Sequence, residues 1–99
     1  MTRYRLTSDA ERDLDTIKDY LLQQGGVRLV RHVVARIHRA LNFLAEQPEA
    51  GHRREDLTAA PVKFWTVFSY MIIYDPAARP VTIVRVLHGS RDISTLLRH

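Results

Sequence analysis

The chain has no cysteine. That excludes a disulfide scaffold, thiolate catalysis and any zinc site built on sulfur, and it fits a reducing cytoplasm, the compartment expected here. No apolar run approaches the roughly 18 residues of a membrane span. The opening Met1-Thr2-Arg3-Tyr4-Arg5-Leu6 reaches polar Thr7-Ser8-Asp9 too soon to hold a signal-peptide core. No membrane association is expected. A Gly-rich phosphate loop and a nucleophile elbow are both missing. So are internal repeats, linkers and low-complexity tracts. The five histidines lack ligand spacing: His32 and His38 sit on different sides of a helix, and His52, His88 and His99 match neither one another nor an acid pair. Neither metal nor cofactor is expected.

What is present describes a small globular protein. Ninety-nine residues make one domain, 1–99, large enough to bury about two-thirds of its unfolded surface. The 45% hydrophobic and 26% charged fractions are ordinary. Fifteen Lys and Arg against eleven Asp and Glu give a formal +4. This favours an acidic partner, protein or nucleic acid, without selecting between them. The charge is segmental. Residues 8–24 hold five acids and two bases, a balance of −3. Residues 27–47 hold four arginines and one acid, and 57–99 hold five bases and two acids, each a balance of +3.

The acidic segment reads as a helix. Ala10, Leu14, Ile17 and Leu21 repeat at helical spacing, with Ser8-x-x-Glu11 as a capping box or Thr7 as the cap. Its five acids fall mostly off the apolar stripe, so a solvated face is expected rather than a metal or acid–base site. Gly25-Gly26 ends it. A second stripe of Val27, Val30, Val34, Ile37, Leu41 and Leu44 predicts a second helix, giving a helical hairpin over about 8–47. Arg28, His32, Arg36 and Arg39 form a basic ridge opposite that stripe, read first as solvated surface and second as a nucleic-acid contact.

Beyond Pro48 and Gly51 the chain turns β-branched and aromatic. Segments 62–67, 70–74 and 81–88 predict strands, with 75–80 as a hairpin loop and a short N-terminal strand at 3–6. The expected fold is α+β: an N-terminal helical hairpin packed on a small, mainly antiparallel sheet over about 62–89. These strands barely alternate, since Ile72 and Ile73 are neighbours and Ile83, Val84, Val86 and Leu87 are interrupted only by Arg85. Both sheet faces are therefore expected to be partly apolar, while two helices cover one. The other face must meet the Arg53-to-Pro61 loop and the chain's tail, another copy, or a partner.

The segment richest in polar function is Arg85-Val86-Leu87-His88-Gly89-Ser90-Arg91-Asp92-Ile93. An arginine in an apolar strand followed by His-Gly-x-Arg-Asp concentrates donors at a strand exit, where Arg91 suits a carboxylate or phosphate. The structural alternative has Asp92 capping a short last helix at 94–98, Gly89 making the turn and Arg85 pairing with an acid. Ser90, His88 and Asp92 lie too close along the chain to converge on a reacting atom, so no catalytic set is expected there.

From end to end the chain resembles the ParE-type toxins of bacterial type II toxin–antitoxin systems. The resemblance starts at Leu6-Thr7 and Ala10-Glu11-x-Asp13-Leu14-x-x-Ile17-x-x-Tyr20. It continues through Leu44-Ala45-Glu46-x-Pro48-x-x-Gly51-x-Arg53-x-x-x-Leu57 and Val62-Lys63-Phe64-Trp65-x-Val67-x-Ser69-Tyr70-x-Ile72-x-Tyr74. It closes on Ile83-x-Arg85-Val86-Leu87-His88-Gly89-x-Arg91-Asp92-Ile93.

The resemblance implies a toxin held inactive in a hetero-oligomer by a small antitoxin, acidic where it wraps the toxin, by helix-in-groove docking and strand addition. Antitoxin contacts are expected at Lys63, Trp65, Tyr70, Ile72, Arg53 and Arg54. ParE-type members inhibit DNA gyrase by binding; Arg85, His88, Arg91 and Asp92, the polar group at the exit of the last strand, are expected here to contact the target, with no direct sequence-specific nucleic-acid binding. Similar RelE-type toxins are ribosome-dependent mRNA endonucleases. Their lysine positions fall on Val62 and Phe64 here, their strand arginine on Met71 and their tyrosine near Leu97, and only Arg91 matches. The binding mode is therefore expected, with the RelE-type ribonuclease and an inactive homologue as alternatives.

Overall fold

Thr7 shows how the first elements lock together. Its hydroxyl accepts the Ala10 N–H at 3.1 Å, which makes Thr7 the helix cap and not Ser8. The same hydroxyl donates to the Val84 carbonyl at 2.7 Å, and the Thr7 N–H donates to the Ile83 carbonyl. One residue thus caps a helix and ties it to a strand far along the chain. This computed structural model describes residues 3–90 and 93–97.

The elements run β1 (Tyr4–Leu6), α1 (Ser8–Glu46), β2 (Lys63–Val67), β3 (Tyr70–Asp75), β4 (Val81–His88) and α2 (Ile93–Leu96). The expected hairpin is present, with its two arms sharing one helical segment broken at Gly26. There the backbone takes φ 70° and ψ −166°, a region essentially reserved for glycine. A straight helix of 39 residues would run about 58 Å at 1.5 Å per residue. The molecule's longest extent is 36 Å, so the chain folds back at Gly26.

The sheet order is β1-β4-β3-β2, with β1 parallel to β4 and the other pairs antiparallel. Both arms deliver Leu14, Ile17, Leu21, Val33, Ile37 and Leu41 onto one face, against Tyr70, Ile72, Tyr74, Ile83 and Val86. Register steps from Ile73 opposite Arg85 to Tyr74 opposite Ile83, so Val84 is the extra residue of a β-bulge. The bulge shifts the alternation by one residue, so Ile83 and Val86, three apart, both face the hairpin while Leu87 faces the other side.

The second apolar face is not left for a partner. Phe64, Ile73 and Leu87 are buried there beneath Ile93, with Leu57, Val62, Leu96 and Leu97 packed around them. The 53–61 loop and the C-terminal segment supply the cover, because His52 bridges backbone-to-backbone with Phe64 and holds the loop against β2. Gly51 makes this turn possible. A Cβ there would lie 2.5 Å from the Tyr74 hydroxyl, which accepts the Gly51 N–H at 2.9 Å and donates to the Pro48 carbonyl at 2.7 Å. Smaller differences remain at element ends: the first strand starts at Tyr4, β2 at Lys63, β3 runs to Asp75, and the last helix runs Ile93–Leu96. Among the described residues, no helix is long and apolar enough to cross a membrane.

Candidate functional site

The first arm crosses β4 with Asp13, Thr16, Ile17 and Tyr20 directed at it, the i, i+3, i+4, i+7 face of a helix. β4 ends at His88, paired with Tyr70 of β3. Between arm and sheet lies a cleft of about 370 Å³, floored by Ile17 and Val86 and rimmed by Tyr20, Tyr70, His88 and Ser90. The Tyr70 and His88 rings meet edge to face, 5.5 Å between centroids and 88° between planes. The Ser90 N–H donates to His88 Nδ1 at 3.1 Å, and Ser90 Oγ lies 2.6 Å from the same nitrogen. Nδ1 is therefore the accepting nitrogen, and the neutral ring carries its proton on Nε2. Burial pushes the Tyr70 phenol above its ordinary value of 10.0, and the Tyr20 phenolate pushes it further.

Arg85 supports the cleft from within the fold. Its Nε and Nη2 donate to both carboxylate oxygens of Asp13, at 2.8 and 2.9 Å, and Asp13 also accepts the Val86 N–H at 2.9 Å. The two side chains are only 11% and 20% exposed. The Asp13 hydrogen bond holds the guanidinium above its ordinary value against the opposing effect of burial. Asp13 is thus the acid of this segment that departs from the expected solvated face, half-buried against Arg85. The pairing of Arg85 with an acid was expected from the sequence, and the Asp13–Arg85 contact bears it out; which acid it would be was not.

The other expected contact residues do not form one patch. Lys63 and Trp65 pair with Tyr74 and Ile72 and share their helix-facing side of the sheet. Lys63 Nζ is turned back onto the Gly51 carbonyl at 3.3 Å and lies 3.5 Å from Glu49. The Trp65 ring stacks at a tilt on Phe43, 5.3 Å away. Ile72 has no exposed surface and belongs to the core, so it is removed from the contact set. Arg53 and Arg54 sit in the loop that covers the opposite face, beside Glu55 and Asp56. Arg91 and Asp92 lie outside the described residues.

A family model described as "ParE toxin of type II toxin-antitoxin system, parDE" matches residues 4–93. The chain belongs to the ParE toxin family. The match takes in every wall of the cleft. Toxin ParE1 of Caulobacter vibrioides is 33% identical over 92 residues, covering 93% of this chain and 94% of its own. Toxin ParE of Escherichia coli is 29% identical over 97 residues, covering 98% and 94%. The fold is shared with a solved structure titled "Chromosomal ParDE TA system from P. aeruginosa", at a TM-score of 0.73 and 20% identity over 86% of this chain and 92% of that one. As an α+β ParE toxin, the chain joins a helical hairpin to a four-stranded mixed sheet.

Proposed function

We propose that this ParE family member inhibits DNA gyrase by binding it, and that a cognate antitoxin with an acidic binding segment neutralises it. The observation that carries the reading is the family match running unbroken over residues 4–93. The target contact is assigned to the β4 exit, where His88 is exposed and Arg91 and Asp92 follow it in sequence. Arg85 contributes by holding β4 to the first arm through Asp13. The antitoxin contact is assigned to Trp65, Tyr70 and the Lys63 side of the sheet, together with Arg53 and Arg54.

The purified chain is expected to inhibit supercoiling by gyrase, with activity restored on adding the antitoxin. Arg91→Ala is expected to relieve growth arrest on induction while leaving the melting temperature in place. Untouched supercoiling together with cleavage of ribosome-bound mRNA would sink the gyrase reading.

A further inference from the structure

The outer face of the second arm, residues 27–46, carries arginines that the fold leaves without a hydrogen-bonded or ion-paired partner among the described residues. Among the described residues, no side-chain hydrogen bond or ion pair reaches Arg28, Arg31, Arg36 or Arg39, and all four are exposed. Every other described arginine has such a partner, from Arg3 with Glu46 to Arg85 with Asp13. The arm's one acid, Glu46, lies at its far end and is taken by Arg3. Arg28, His32, Arg36 and Arg39 share one helical face at offsets of four, eight and eleven.

The fold also brings an aromatic ring to this ridge, which the sequence alone does not reveal. Val67 pairs with Tyr70, so Phe68-Ser69 is a two-residue hairpin loop. Phe68 holds φ 54° there, a conformation such loops normally give to Gly, Asn or Asp and a bulky side chain adopts only under strain. Phe68 is nevertheless 50% exposed. Its ring lies 5.8 Å from His32, and the Arg36 guanidinium sits over it at 5.3 Å. A stacked guanidinium keeps its edge N–H groups free for an anion and loses less freedom on binding one.

We propose that this ridge docks, without sequence specificity, on the phosphate backbone of double-stranded DNA. The ridge lies on an exposed helix face, and neither the β4-exit cleft nor the one beside β1 contains a second-arm residue. A peptide needs pocketed anchors for affinity, whereas phosphate binding by counterion release does not. A helix of this width also enters the major groove of B-form DNA but not the deep, narrow groove of A-form RNA.

The test is fluorescence anisotropy of the full chain with a labelled random duplex between roughly 50 and 200 mM salt. Phosphate contacts by Arg28, Arg36 and Arg39, with Arg31 on the flank of the same outer face, predict a log–log salt slope of about −3.6 and a dissociation constant within about 10⁻⁴–10⁻⁶ M. Each Arg→Gln change should reduce the slope by about 1. The combined Arg28→Gln, Arg31→Gln, Arg36→Gln and Arg39→Gln chain should lose binding without losing its melting temperature. Phe68→Gly should weaken binding about two- to fivefold while leaving stability equal or higher. Undetectable duplex binding at about 50 mM salt, or a slope that the combined variant leaves unchanged, would overturn the proposal. So would capture of polyglutamate without capture of duplex, which would hand the ridge to an acidic protein. The gyrase reading fails separately: a chain that binds duplex and leaves supercoiling untouched keeps this inference and loses that one.

Discussion

At the scale of single residues, Asp13 accepts three hydrogen bonds, two from Arg85 and one from the Val86 N–H. Replacing it with alanine leaves Arg85 a half-buried, unpaired cation and the Val86 N–H without its acceptor. Breaking such a pair from one side destabilises by about 3 kcal/mol. For a domain of this size that is a melting-temperature drop of roughly 12–24 °C, readable by circular dichroism. Three tyrosines give a second expectation. Burial pushes the phenols of Tyr4, Tyr70 and Tyr74 above 10.0. In the unfolded chain they ionise at the ordinary value, so above it the unfolded state binds fewer protons than the folded one. Their stabilising contribution is complete below pH 10.0 and is lost as pH rises through the folded values. Urea midpoints at about pH 9 and 11 should therefore fall, with phenolate absorbance rising late and together with unfolding.

At the scale of elements, the hairpin depends on Gly26. Nothing lies within 4 Å of the place a Cβ would occupy, so substitution there meets strain in the backbone rather than a clash. Gly26→Ala is expected to destabilise by about 1–3 kcal/mol, with the denaturant midpoint lowered and the slope unchanged. Elements were also what the sequence described best. The Leu14, Ile17, Leu21 stripe, the Gly-Gly break and the β-branched runs each lie within a few consecutive residues, and β4 matches its expected 81–88 span. That Arg85 pairs with an acid was legible; which acid was not, because Asp13 lies 72 residues away. Only the crossing of the first arm over the β4 bulge brings the two together. Ile72 failed as a contact for a similar reason: period-two alternation marks one face of a strand but not whether helices cover it.

At the scale of the whole molecule, one sheet separates two apolar clusters, the larger under the hairpin and the smaller under a loop and α2. Ile93 is 4% exposed and closes the smaller one. Ile93→Asp should release that cover and cost about 2–4 kcal/mol of apolar burial, with increased binding of a hydrophobic dye. The near-ultraviolet signal of Trp65, on the helix-facing side, should persist. Loss of both signals together would mean that the clusters fold as one unit.

The sequence by itself determined the α+β class, the hairpin, the strands and a family order running through the chain, because each is written in local period or motif spacing. Tertiary structure decided the β1-β4-β3-β2 order, the cover of the second face, the Asp13–Arg85 pair and the meeting of Phe68 with the basic ridge. Those depend on which distant segments the fold brings together, and residue spacing along a chain does not carry that information. The absence of cysteine leaves these packing and hydrogen-bond contacts, with no covalent cross-link, to hold the molecule together.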